Sequence, residues 1–198
     1  MNQALDFFRP SQRETALQIL EKNGLIAAKG LAITPADAAA IAETHAVSLR
    51  DNRLVELGCG SVEKIIELFA DSPYADRSNF ASIVSTMTEA FGYLKRETER
   101  EIPDNVLLSF MRVLFDQISH GSEELFLDRD MPRIVDFLRE KRSADALLRW
   151  IAEENTLEFM QSPTAGDRGR ILQEYFGAGD ETEPEIWEEE DDDRSDFL

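Results

Sequence analysis

The residues with the most chemical content form one phrase, Val55-Glu56-Leu57-Gly58-Cys59-Gly60-Ser61. An acid, two glycines and a small residue after an apolar stretch can make a strand-to-helix turn that cradles S-adenosylmethionine or a dinucleotide. That chemistry needs tight glycine spacing, a buried parallel strand before the turn, and an acid on a second strand for the ribose hydroxyls. Glu56, Gly58 and Gly60 fit E-x-G-x-G, but Val62 stands at the next expected glycine, and Glu63 at the third glycine of G-x-G-x-x-G. Asp76 follows at a suitable distance, without a strand to carry it. After Gly60 the apolar residues recur with helical rather than β/α periodicity, so no doubly wound sheet can form. The phrase is therefore read as a short extended piece and a glycine turn that leads into a helix at Ser61, and no cofactor is assigned.

Other chemistries find little support. A nucleophile would be Cys59 or a serine with a histidine base. Only His45 and His120 are present. His45 falls inside an alanine-rich helix and His120 at a helix end beside Gly121, where an imidazole complements the helix dipole. Cys59 reads as a small buried side chain. No H-E-x-x-H, C-x-x-C or calcium-loop spacing occurs, and neither histidine follows a glutamate by three positions, so no metal is assigned.

The elements that would position these residues are helices. Ser11 and Glu14 form a capping-box pattern that opens a helix over 11–22, with Asn23-Gly24 as its stop. Thr34-Pro35 with Asp37 opens a second, reaching about Leu49. Residues 53–57 are the best strand candidate and have no partner strand. A helix from Ser61 presents Val62, Ile65, Ile66 and Phe69, and Asp71–Tyr74 breaks it at Pro73. Phe80, Ile83, Val84, Met87, Phe91 and Leu94 predict an amphipathic helix, followed by the charged segment Lys95–Glu101. From Pro103 the chain is apolar most of the way round to Ile118, which predicts the central helix of a bundle closed by Gly121. Two further helices carry Met131–Leu138 and Ala144–Ile151, and "RILQEYF" reads as a last short one.

The chain has 198 residues, 42% of them hydrophobic, enough for one globular core. Its formal charge is −19. Residues 180–198 contribute −10 of this and residues 1–179 contribute −9. Such a field disfavours nucleic acid and anionic membranes and attracts basic protein surfaces. One cysteine excludes an intrachain disulfide, and neither a secretory signal nor an apolar run of spanning length is present. The expected location is the cytoplasm.

An ordered series of phrases over residues 15–128 resembles a known family. They are "GLAIT", "NRLVELGCG", "ELFADSPYADRSNF", "FGYLKRE", "IPDNVLLSFM" and "FDQISHGSEELF". The family is a group of small bacterial proteins, seen mainly in Firmicutes, known only as a domain of unknown function. The resemblance implies an all-helical domain without an assigned activity. Carried over by position, its polar residues are Arg53, Glu56, Asp71, Ser72, Tyr74, Lys95, Glu97, Asp104 and Asp116. Either they form a hydrogen-bonded network that ties helices together, or they converge on a groove that binds something. Lys95 and Glu97, two apart on a helix, cannot pair with each other.

The expected architecture is an all-α, compact multi-helix bundle over residues 1–176, with one short extended segment near 53–57. A disordered acidic tail is expected over 177–198. The leading functional reading is a protein-interaction module, one part of a hetero-complex, and not an enzyme. Its partner would be another protein with a basic surface. In the tail, Ile186, Trp187 and Phe197 are apolar residues set among acids that could dock on such a partner. One alternative is a small-ligand site or enzyme built from Arg53, Glu56, Asp71, Tyr74 and Lys95. Another is an acidic mimic of nucleic acid.

Overall fold

The computed structural model describes residues 10–56, 58–99, 101–141 and 143–153. All regular structure among them is helical. Helix α1 spans Pro10–Glu21. It begins one residue earlier than the Ser11 capping pattern predicts, because proline suits the first helical position. Helix α1 ends at Glu21, next to the expected stop at Asn23-Gly24, but Gly24 is not left-handed and the chain turns at once into another helix. Helix α2 covers Asn23–Ile26 and runs into a 3-10 turn, Ala27–Lys29, closed by Gly30. Asn23 clamps the returning chain instead. Its Nδ2 donates to the Ile33 carbonyl at 2.8 Å, and the Ile33 N–H donates to its Oδ1 at 2.8 Å.

Helix α3, Pro35–Asp51, starts with the predicted capping box. Thr34 Oγ1 accepts the Asp37 N–H at 3.2 Å, and the Thr34 N–H donates to Asp37 Oδ2 at 3.0 Å. Ala38, Ile41, Ala42, His45 and Ser48 form its buried stripe. Small side chains there let α3 lie close to both α1 and α5.

Residues 53–56 form no strand, since a lone extended piece has no ladder partner. Helix α4, Gly60–Phe69, buries Val62, Ile65, Ile66 and Phe69 as the spacing predicts. Helix α5, Phe80–Glu97, buries the whole expected stripe from Phe80 to Leu94. Arg96 and Glu97 end it, and Thr98–Glu99 is a turn with Glu99 at φ +52°, so the charged segment is only partly helical.

Helix α6, Asp104–Gln117, is the central helix, buried on most sides as its composition requires. Two aromatic clusters are built on it. Phe110 stacks on Phe137 at 5.6 Å and meets Trp150 edge-on at 5.1 Å. Phe115 lies edge-on to Phe69 at 5.6 Å and to Phe126 at 6.2 Å. A wider π-helical turn, Leu125–Asp130, leads into α7, Met131–Lys141. It turns Asp130 fully inward, where the carboxylate accepts Ser119 Oγ at 2.8 Å and Arg129 Nε at 2.7 Å. Helix α8, Ala144–Ala152, is capped by Ser143, whose Oγ accepts the Ala146 N–H. No helix among the described residues is long and apolar enough to cross a membrane. The predicted helix over "RILQEYF" and the acidic tail lie outside the described residues.

Candidate functional site

Helix α4 opens without a conventional cap, since the Cys59 side chain makes no capping bond. Glu56, four residues before the helix, supplies it. Its Oε1 accepts the Ser61 N–H and its Oε2 accepts the Ser61 hydroxyl, both at 2.6 Å. Glu56 Oε2 also lies 3.1 Å from His45 Nε2, on α3. A carboxylate at this end satisfies orphan amide donors and complements the helix dipole. Burial pushes the Glu56 carboxyl upward, but the bonds from His45 and Ser61 together outweigh it and hold the group below the usual range. At neutral pH Glu56 is thus an anion that only accepts, so His45 Nε2 carries a proton.

His45 and Ser61 are 4% and 5% exposed. Together with Glu56 they contain the residue types of a hydrolytic triad in the wrong arrangement. A relay places the acid on one imidazole nitrogen and the nucleophile on the other. Here both meet Nε2, with Ser61 Oγ at 3.4 Å, and the serine proton is directed to Glu56. The cluster joins α3 to the start of α4 and does not activate Ser61.

These groups form one end of a cleft of about 270 Å³ walled by α3, α4, α5 and residues 54–56. Helix α5 contributes Thr88, Phe91, Gly92 and Lys95, one face at helical spacing. At the other end Lys95 Nζ donates to the Ile102 carbonyl at 2.6 Å and pairs with Asp104 Oδ1 at 3.0 Å. Lys64 Nζ lies 4.0 Å from Asp104 Oδ2.

Of the polar residues carried over from the family phrases, Glu56, Lys95 and Asp104 line this cleft. The others do not join them. Arg53 is exposed at φ +53°, in a hollow with Arg96 and Glu99. Asp71 pairs with Lys29, which lowers its pKa through that bond. Ser72 donates to Asp116 Oδ1 at 2.6 Å, and Asp116 Oδ2 takes Arg112 at 2.7 Å. Tyr74 lies on Gly121, which has φ +77°, and a Cβ at Gly121 would stand 2.3 Å from Tyr74 Cβ. That contact physically links the D-S-P-Y phrase with the later G-S phrase, because only glycine fits both the left-handed backbone and the ring above it. Glu97 bonds Arg96 and, across to α7, Arg139. Of the five residues proposed from sequence as one ligand pocket, Glu56 and Lys95 therefore share the cleft, while Arg53, Asp71 and Tyr74 lie elsewhere. Ile186, Trp187 and Phe197 lie outside the described residues.

His45, Ser61 and Lys64 line the cleft without having been selected from the sequence. A capping acid is ordinarily sought at the cap position or three residues into the helix. Glu56 precedes Ser61 by five across a glycine turn, a spacing with no standard signature. The start of α4, where a nucleotide-like ligand would sit in the cofactor reading, holds the chain's own carboxylate.

Cys59 is 2% exposed, and its Sγ donates to Gln18 Oε1 at 3.2 Å. Burial, with Glu63 beside it, pushes the thiol up to about 12. Alkylation of Cys59 by iodoacetamide at pH 8 is expected to be at least ~100-fold slower in the native protein than in urea. Equal rates in the two conditions would show an accessible thiolate.

Neither the comparison with curated proteins nor that with solved structures returned a match. The family comparison did, and it covers every element from within α1 to the start of α8. Over residues 18–144 the chain matches the family of unknown function DUF6323, and it belongs to that family.

Proposed function

We propose that this is a protein-interaction module that receives a basic segment of a partner protein in the groove between α3 and α5. The observation that carries the reading is the chemistry of that groove, a hollow of about 530 Å³. Glu43, Val47 and Asp51 on α3 face Glu89 and Tyr93 on α5 across it, and no basic residue lines it. Asp51 is held by Arg50, whereas Glu43 and Glu89 have no partner among the described residues. Val47 is 37% exposed and offers an apolar contact between the acids. The Tyr93 ring already carries a guanidinium, that of Arg96, at 4.9 Å. A short stretch with lysines or arginines flanking one apolar side chain complements this surface. The net charge of −19 would steer such a partner toward it. The proposal places the protein in the cytoplasm, supported by a lone cysteine that is buried.

Affinity purification from the native host tests the reading, with wild type beside Glu43→Lys/Glu89→Lys and a chain lacking residues 180–198. Both glutamates are exposed, so the double variant is expected to fold. The expected result is a basic prey that the charge-reversed groove loses. Once purified, it should bind wild type at least ~10-fold more weakly at 300 mM salt than at 50 mM. Prey retained by the double variant but lost with the tail would move the contact surface to residues 180–198 and overturn the groove assignment.

A further inference from the structure

The cleft between α3, α4 and α5 calls for an occupant of a different kind. Its walls are rigid: positions 45, 48 and 49 on α3, 60, 61 and 64 on α4, and 88, 91, 92 and 95 on α5 all face it. Four of its polar side chains, His45, Ser48, Ser61 and Thr88, are more than nine-tenths buried. Leu49, Leu54 and Phe91 give it an apolar middle. Such a mixture, mostly apolar with a few convergent polar groups on fixed elements, is the pattern of a small-molecule site. At about 270 Å³ it falls just below the usual range for such sites, a size that suits compact molecules.

The two ends define the chemistry. At one end two ammonium groups, Lys64 and Lys95, share a single carboxylate, Asp104. Lys95 spends two of its three hydrogens on Asp104 and the Ile102 carbonyl. Lys64 is 54% exposed and 4.0 Å from Asp104, beyond hydrogen-bond length, so its hydrogens remain available. That end thus carries one positive charge in excess. At the other end Glu56 Oε1 accepts the Ser61 N–H and no other bond among the described residues, which leaves it a lone pair. Gly60, which lines the cleft, has no side chain to cover that oxygen, whereas an added Cβ would touch it at 3.4 Å. One end therefore asks for an anion and the other for a hydrogen-bond donor.

We infer that the cleft binds a compact carboxylate bearing a hydroxyl or ammonium group, its carboxylate on Lys64 and its donor on Glu56. Two sources share this chemistry, free amino acids and small hydroxy acids. Full-length protein is titrated with a panel of each by calorimetry and saturation-transfer NMR, beside Lys64→Glu. Lys64 is an exposed helix position, so the variant is expected to melt with the wild type in the absence of added acid. The expected result is a member of one panel binding with Kd below roughly 1 mM. Lys64→Glu should weaken it by at least ~10-fold, and the amide of the same acid should bind correspondingly weakly. Which panel contains the binder identifies the donor as ammonium or hydroxyl. The inference is overturned if neither panel binds below roughly 1 mM, or if Lys64→Glu leaves the affinity unchanged.

Discussion

Glu56→Ala is expected to lower the midpoint of thermal unfolding by roughly 6–12 °C, the equivalent of about 3 kcal/mol for a chain of this size. The side chain accepts three bonds, from the Ser61 amide, the Ser61 hydroxyl and His45 Nε2. Bonds to an ionised acceptor stabilise by about 1.5–3 kcal/mol each, and the donors left behind are buried, so water replaces the carboxylate incompletely. Glu56→Gln keeps the shape and loses the charge, with an expected cost of about half as much.

The pH dependence separates the charge from the shape. The Glu56 pKa is lower in the folded protein than in the unfolded chain. Its contribution is therefore complete above the unfolded value, about 4.3, and is lost as pH falls through the folded value. The stability gap between wild type and Glu56→Gln should be full at pH 7 and shrink below about pH 4. A gap that stays constant from pH 7 to pH 3 would show that charge plays no part. Identical unfolding midpoints of wild type and Glu56→Ala at pH 7 would remove the capping role altogether.

Gly92→Ala is the second large effect. A Cβ built at Gly92 on α5 stands 2.0 Å from Ser48 Oγ and 3.0 Å from Asn52 Nδ2. Both neighbours are buried and bonded, Ser48 to the Thr88 carbonyl at 3.3 Å and Asn52 to the Ser48 carbonyl at 2.9 Å. Overpacking of this kind costs about 3 kcal/mol, offset by about 1 kcal/mol from the better helix propensity of alanine. A net loss of about 2 kcal/mol is expected by urea denaturation. In a Ser48→Ala background the nearest clash is gone, and the same substitution should cost close to nothing. Additive losses in the double variant would show that the two helices are not pinned at this point.

The helical elements were legible because each carried its own local signal. The capping box at Thr34-Pro35 and Asp37 formed as expected, and Phe80, Ile83, Val84, Met87, Phe91 and Leu94 all turned inward. The nearly unbroken apolar run from Val106 to Phe115 became the central helix. The first helix ended at Glu21, beside the expected stop at Asn23-Gly24, though not through a left-handed glycine. The Asn23 amide had a better use 10 residues away, clamping the backbone of Ile33. Gly92 gave no signal either, since a glycine inside a helix looks like a weakness until the neighbouring helix is in place.

The candidate sites were legible only in fragments. The family phrases yielded Glu56, Lys95 and Asp104, but they equally yielded Ser72, Asp116 and Tyr74, which hold the Asp71–Tyr74 turn against α6 and Gly121. Residue type cannot tell a carboxylate that caps a helix from one that meets a ligand. Both need the same acceptor atoms, and they differ only in what stands opposite. His45 was set aside as one more residue of an alanine-rich helix, and its neighbours Glu56 and Ser61 lie 11 and 16 positions away. By itself the sequence determined that this chain folds by packing helices, because apolar periodicity and caps act within a few residues. Only the tertiary structure decided which side chains share a cleft and which carboxylates remain unpaired, because those outcomes depend on distances between helices that no local pattern encodes.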